Sequence, residues 1–252
     1  MRGLLRGIWQ ESALYNGPAY FYQSPSDCLR KMKKLLLSLS ILFVASVTTV
    51  AAFAQDVKGD PVAGEKKISM CIGCHGILGY NAGFPEVHRV PKISGQGAKY
   101  IATALHAYKA GERKHPSMRG IADTLSNQDI ADLAAYYSSN GVVAGLAPLP
   151  KAVEGSVKAM ELVTKGGCVS CHGDNFSKPI DPSYPKISGQ HADYLYFALK
   201  AYKTTDKEVI GRSNAVMAGV AKQFSNDELR VLADYVGSLP GDLKTIQQPR
   251  FR

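Results

Sequence analysis

An all-α protein built from one domain present twice is what this sequence predicts, and three observations predict it. A five-residue motif recurs, CIGCH at Cys71 to His75 and CVSCH at Cys168 to His172. The segments behind it recur in the same order: PKISGQGAKYIATALHAYKAG against PKISGQHADYLYFALKAYKTT, then SMRGIADTLSNQDIADLAAYY against VMAGVAKQFSNDELRVLADYV. Apolar residues within these segments fall at helical spacing. Equivalent positions lie 97 apart at Cys71 and Cys168, 94 at Pro91 and Pro185, and 99 at Met118 and Met217, so loops differ in length while the elements keep their order.

The repeat does not include the N-terminal region. From Met32 the chain reads MKKLLLSLSILFVASVTTVAAFAQ, a positive start, an apolar stretch from Leu35 to about Ala52, and Ala52-Phe53-Ala54 ahead of Gln55. This is the pattern of an export signal with a small-residue cleavage site. The competing reading is a retained anchor, since Leu35 to Ala54 is just long enough to span a bilayer. Residues 1 to 31 carry no periodic pattern and are expected to precede the true start at Met32. The 252 residues hold 30 Lys+Arg and 21 Asp+Glu, a net +9, but from Gln55 onward the counts are 24 and 19, a net +5. Nearly half of the net charge belongs to the discarded segment, and no run of like charge argues for nucleic acid.

The elements follow in order. Asp60 ahead of Pro61 has the form of an N-cap and first helical residue, opening a short helix that delivers Cys71. Val153 to Lys165 plays that part in the second copy, and Gly166-Gly167 stops it. Segments 97 to 110 and 191 to 203 carry Tyr100, Ile101, Ala104, Leu105 and Tyr108 against Tyr194, Leu195, Ala198, Leu199 and Tyr202 at helical spacing, a pattern expected of core. The last helix of each copy opens on a capping box, Ser126 with Asp129 and Ser225 with Glu228. It presents Leu133 and Tyr136, or Leu232 and Tyr235, on one face. Gly141 to Val153, rich in Gly, Ala and Pro, is read as the linker. The expected organisation is an upstream segment and signal over 1–54, one domain over 55–140, the linker over 141–153, and a second domain over 154–252.

Once Cys28 is removed with the signal, the remaining cysteines are two pairs, Cys71/Cys74 and Cys168/Cys171. Disulfides are the default in an exported chain, yet about 200 residues can build a core without them. Zinc wants two such pairs within about 20 residues, and a thioredoxin-like pair wants a βαβ context that is absent here. The trailing histidine decides. C-x-x-C-H is the attachment site of c-type haem: the two thiols bond the porphyrin and the next residue offers an imidazole to the iron. Two motifs predict two covalent haem c groups.

What fills the sixth position on each iron separates electron transfer from catalysis. The candidates are Met118, His88, His106, His115 and Met70 in the first copy, and Met217, His191 and Met160 in the second. A ligand should recur. Met118 and Met217 recur in register, each expected in a loop ahead of the last helix, whereas His115 aligns with Asn214 and His191 with Gly97. The four unmatched histidines are read as surface or loop residues, Met160 as core, and Met70 as too close to Cys71 to reach over the ring.

These paired motifs, the PKISGQ element, the methionine and the closing LSNQDIADLAAYY helix resemble cytochrome c4, an exported diheme electron carrier, over roughly 58 to 240. The resemblance implies two tandem class I cytochrome c domains, with His75 and Met118 on one iron and His172 and Met217 on the other. It implies that the carbonyls of Pro91 and Pro185 orient the ligand imidazoles. Arg113 and Arg212, each five residues before the methionine, are assigned to haem propionates, the competing reading being solvated surface arginines. Ile93 and Ile187 stand where leucine is common in the family. The resemblance further implies a carrier, not an enzyme, at the outer face of the inner membrane in the periplasm. It would run from a quinol:cytochrome c reductase to a terminal cytochrome oxidase. Two other classes compete: the electron-accepting diheme subunit of a dehydrogenase complex, such as a sulfide-oxidising flavocytochrome, and a diheme peroxidase, against which the matched methionines argue.

Overall fold

The computed structural model describes residues 57–142, 154–204 and 206–247. The signal, the segment before it and nearly all of the linker lie outside the described residues. The first copy runs α1 (Pro61–Glu65), α2 (Ser69–His75), β1 (Asn81–Ala82), β2 (His88–Arg89), α3 (Ala98–Ala110), β3 (Arg113–Lys114), α4 (Pro116–Asp123) and α5 (Asn127–Ser139). The second runs α6 (Val157–Lys165), α7 (Cys168–His172), α8 (Ala192–Lys203), β4 (Gly211–Arg212), α9 (Ala215–Ala221) and α10 (Asn226–Ser238). The strands are two-residue pairings, so the architecture is helical, as expected.

In each copy the closing helix is the spine of the core. Ser126 and Ser225 accept from the backbone N–H three residues on, and Asp129 and Glu228 reach back to the cap N–H, so both capping boxes form. α1 and α3 pack on α5, and α6 and α8 pack on α10. The two cores bury Ile68, Ile72, Ile130 and Leu133 in the first copy and Leu162, Phe176, Leu229 and Leu232 in the second.

Two boundaries differ from the sequence reading. The stretch from Asp60 to His75 is two helices, because α1 ends at Glu65 and a turn at Lys66 to Ile68 redirects the chain. Lys67 is drawn out of a helical course toward α5, where its ammonium lies 2.6 Å from both Asp129 and the buried Asp132. In the second copy α6 begins at Val157, since Ser156 accepts from the Ala159 N–H and sets the start there; Val153 itself lies outside the described residues.

The copies are joined by a reciprocal interface, and PKISGQ is its main component. Gln96 accepts from the Lys186 N–H and donates to the Lys186 carbonyl, both at 2.9 Å, while Gln190 does the same to Lys92 at 2.9 and 2.9 Å. Lys92 Nζ donates to the Gly189 carbonyl and Lys186 Nζ to that of Gly95. Contacts of residue i with j repeated as j with i are the mark of two-fold relation, here inside one chain. Gly95 makes this possible with φ +85°: a side chain there would be strained, and its Cβ would sit 2.7 Å from the Asp242 carbonyl. β3 pairs antiparallel with β4, setting Arg113 opposite Arg212. Ion pairs Arg89–Asp193 and Lys200–Glu86 flank the seam, and Lys244 N–H bonds back to the Ser94 carbonyl.

Candidate haem sites

Each C-x-x-C-H motif lies on a short helix, α2 or α7, so one helical turn sets the two sulfurs on one edge and the histidine just beyond. The four cysteines of the motifs are free thiols. His75 Nδ1 lies 2.9 Å from the Pro91 carbonyl and His172 Nδ1 3.1 Å from that of Pro185. Nδ1–H donation to a carbonyl fixes the tautomer and leaves Nε2 with its lone pair for a metal. Burial pushes both imidazole pKa values down, the carbonyl contacts only partly opposing it, so both rings are held neutral. Burial likewise raises the Cys71 and Cys168 thiols.

Both motifs open into one continuous cavity of about 830 Å³ that also reaches Met118 and Met217. Its walls revise the sequence reading of α3 and α8. All ten residues expected as core, from Tyr100 to Tyr108 and from Tyr194 to Tyr202, also line the cavity, because the periodic face that packs on the closing helix, with Ile101 and Leu195 in the cores, borders this space as well. Ile93 and Ile187 line it too. The methionines are revised as well: they stand on helices, not in loops. Met118 is the third residue of α4 and Met217 the third of α9, and each has its N–H facing the cap side chain, His115 Nδ1 at 3.5 Å and Asn214 Oδ1 at 2.9 Å.

Arg113 and Arg212 also line the cavity. Arg113 donates to the hydroxyls of Tyr100 (3.0 Å) and Tyr194 (2.7 Å), and Arg212 donates to Tyr194 (3.1 Å). Among the described residues no carboxylate pairs with either guanidinium, and Arg113 Nε is buried without a partner. Two unpaired guanidiniums facing a mostly apolar space call for anions, and haem c brings carboxylates. The free thiols, the oriented imidazoles, the apolar walls and these guanidiniums all fit that group.

Of the four histidines read as surface or loop, His88 is placed otherwise, and His115 stands in the β3–α4 connection, half-buried. His88 is 3% exposed, its Nδ1 lacks a partner, and its ring meets Phe197 of the second copy edge-on at 4.3 Å. His115 caps α4 and stacks 6.1 Å from His88, and desolvation, with the nearby His88 and arginines, takes it down to about 4. Both line the cavity, which no local pattern signals because the contacts come from another repeat. His106 is exposed, as expected, and His191 precedes α8 without capping it. Met70 is exposed and Met160 packs on the second core. Tyr137, which sequence reasoning passed over for Tyr136, is the residue at the Cys71 thiol; it is 5% exposed, and burial pushes its phenol up.

Comparison with known proteins agrees with this geometry. The cytochrome c family profile matches residues 62–140 and 156–240, one match per copy. Cytochrome c4 of Azotobacter vinelandii is 33% identical over 225 residues, covering 82% of this chain and 100% of the relative. The crystal structure of reduced recombinant cytochrome c4 from Pseudomonas stutzeri superposes with a TM-score of 0.52 at 31% identity, over 72% of this chain and 100% of that one. A thiosulfate dehydrogenase electron acceptor from Thiomonas intermedia is 27% identical over 206 residues, 78% of this chain and 91% of the relative. With a c-type site in each half and a cavity built to enclose the ring, this chain belongs to the cytochrome c4 family and is a diheme c-type electron carrier, not an enzyme.

Proposed function

We propose that Cys71 and Cys74 hold the first haem by thioether bonds and Cys168 and Cys171 the second. His75 with Met118 would ligate one iron, and His172 with Met217 the other. The observation that carries this reading is the matched placement of the two methionines, third residue of a short capped helix in each copy, on the cavity that the histidines share. When bound, each haem supplies one-electron redox chemistry. The protein orients the imidazoles through Pro91 and Pro185 and walls off water with α3 and α8. A thioether is a weak donor that favours the reduced iron and closes it to substrates, which suits a carrier. Arg113 and Arg212 meet the haem carboxylates. The domains run 55–140 and 154–252, joined by 141–153.

The signal-like segment supports export to the periplasm, at the outer face of the inner membrane, and among the described residues no helix is long and apolar enough to cross a membrane. The carrier would take electrons from a quinol:cytochrome c reductase and deliver them to a terminal oxidase. A second reading has specific support: the thiosulfate dehydrogenase electron acceptors among its relatives make a dehydrogenase an alternative donor. Reduction of the purified protein by each class of complex separates the two routes.

The ligand assignment is tested by Met118→Ala and Met217→Ala. Each should remove about half of the near-infrared sulfur-to-iron band and let carbon monoxide bind one reduced iron. If both spectra are unchanged while His88→Ala or His115→Ala opens an iron, the assignment fails.

A further inference from the structure

We propose that Tyr194 is a positioning residue that couples the two haems, by holding Arg113 and Arg212 to one shared hydroxyl at the seam between the copies. The proposal rests on the reading that these arginines face the haem carboxylates.

The geometry departs from the reciprocity of the Gln96/Lys186 and Gln190/Lys92 contacts. Tyr100 and Tyr194 are equivalent in the repeat, as are Arg113 and Arg212, yet among the described residues the Tyr100 hydroxyl takes only Arg113, the guanidinium of its own copy. The Tyr194 hydroxyl takes Arg212 of its own copy at 3.1 Å and Arg113 of the other at 2.7 Å. A phenol oxygen has two lone pairs, enough for both donors. Two guanidiniums that approach each other repel, and at β3–β4 the backbone brings these two opposite one another. A shared acceptor between them offsets that repulsion and fixes each relative to the other. Burial alone would raise the Tyr194 phenol, but the guanidiniums outweigh it and bring it to about 8, which reflects how strongly the pair acts on this oxygen.

A rigid pair of cations between two redox centres sets the potential that each iron feels, and anything that moves one moves the other. The phenol oxygen carries partial negative charge toward both guanidiniums. Removing it leaves each haem facing a more positive surrounding, which favours the reduced state. No proton or further electron is exchanged in this coupling: each haem gains and loses one electron as before.

The experiment is a redox titration of the full two-haem protein, each haem followed by its own NMR resonances, with haem content checked by mass. Tyr194→Phe keeps the ring and removes the hydroxyl. At a fixed applied potential it should shift the oxidised-to-reduced ratio of both haems about threefold toward reduced. Tyr100→Phe should shift the first haem alone. In an Arg212→Lys background, Tyr194→Phe should still move the first haem but no longer the second, which separates action through the arginine from loosened packing. The proposal is overturned if Tyr194→Phe moves one haem or neither, or if the second-haem shift survives Arg212→Lys. The underlying reading fails separately: if Arg113→Lys and Arg212→Lys leave both potentials unchanged, the arginines do not face the haems.

Discussion

The first and second copies keep the same attachment motif, the same imidazole-to-proline carbonyl contact and the same methionine on a capped helix, yet they surround these groups differently. At the cap ahead of the methionine the first has His115 and the second Asn214. On the closing helix the first has Tyr137 facing the cavity and the second Val236. His88, buried at the seam against Phe197, has no histidine counterpart, while Phe176 fills the second core at 1% exposure. Attachment and ligation tolerate only a few atoms in one geometry, so duplication preserved them. The walls tolerate any group that fits, so they diverged and made one site more polar. A polar wall stabilises the more highly charged oxidised iron, so the first haem should have the lower potential.

The largest effect that can break this comparison is loss of one cofactor. Each copy has fewer than 100 described residues around a large cavity, so much of its core is the haem, and bound cofactor supplies a large share of its stability. Cys71→Ser with Cys74→Ser should halve the haem-to-protein ratio and abolish amide-exchange protection in α3 and α5 while leaving α8 and α10 protected. The same pair at Cys168 and Cys171 should do the converse. If either pair costs both haems, the copies do not fold as separate units.

A smaller effect tests the seam. Gln96→Leu leaves the Lys186 N–H and carbonyl without partners, at a cost of about 1–3 kcal/mol by denaturant unfolding. Gln190→Leu should cost the same within error, because its bonds to Lys92 mirror those of Gln96. Unequal costs would mean that the two-fold relation holds in geometry but not in energy.

Exchanging a wall residue sharpens the comparison of the sites. Tyr137→Val installs at the first haem the residue type that the second has. Its potential should rise toward that of the second by about 30 mV, roughly a threefold change in the redox ratio. A first-haem midpoint unmoved by this exchange, read in the same titration, would deny that wall polarity separates the two.

The smallest effect is one of pH. His191, whose equivalent in the first copy is Gly97, is held down at about 4 by desolvation and then by the cations Lys92 and Arg89, against about 6.5 for a free imidazole. Between those values the unfolded chain binds a proton that the folded one refuses, so this contribution is full above pH 6.5 and is lost as pH falls toward 4. The drop in Tm from pH 7 to pH 4.5 should therefore be smaller in His191→Asn. An identical drop in both proteins would exclude His191 as a source of acid sensitivity.

Sequence alone determined the repeat, the helical class, both capping boxes, the two attachment motifs and the recurring methionines. Each of these is local: a helical turn, a cap or a thiol pair with its histidine is specified by residues a few positions apart. PKISGQ shows the limit. Its proline was tied to the ligand histidine only through the family resemblance, six identical residues in both copies are more than haem attachment asks for, and the repeated lysine and glutamine were the unread signal of a seam. The walls of α3 and α8 were read as ordinary core, since an apolar helical face is the same whether it meets a helix or a cofactor. His88 was read as surface or loop, since its burial is provided partly by Phe197 from the other copy. Only tertiary structure could decide these points, because each depends on groups about a hundred residues apart that meet when one copy folds against the other.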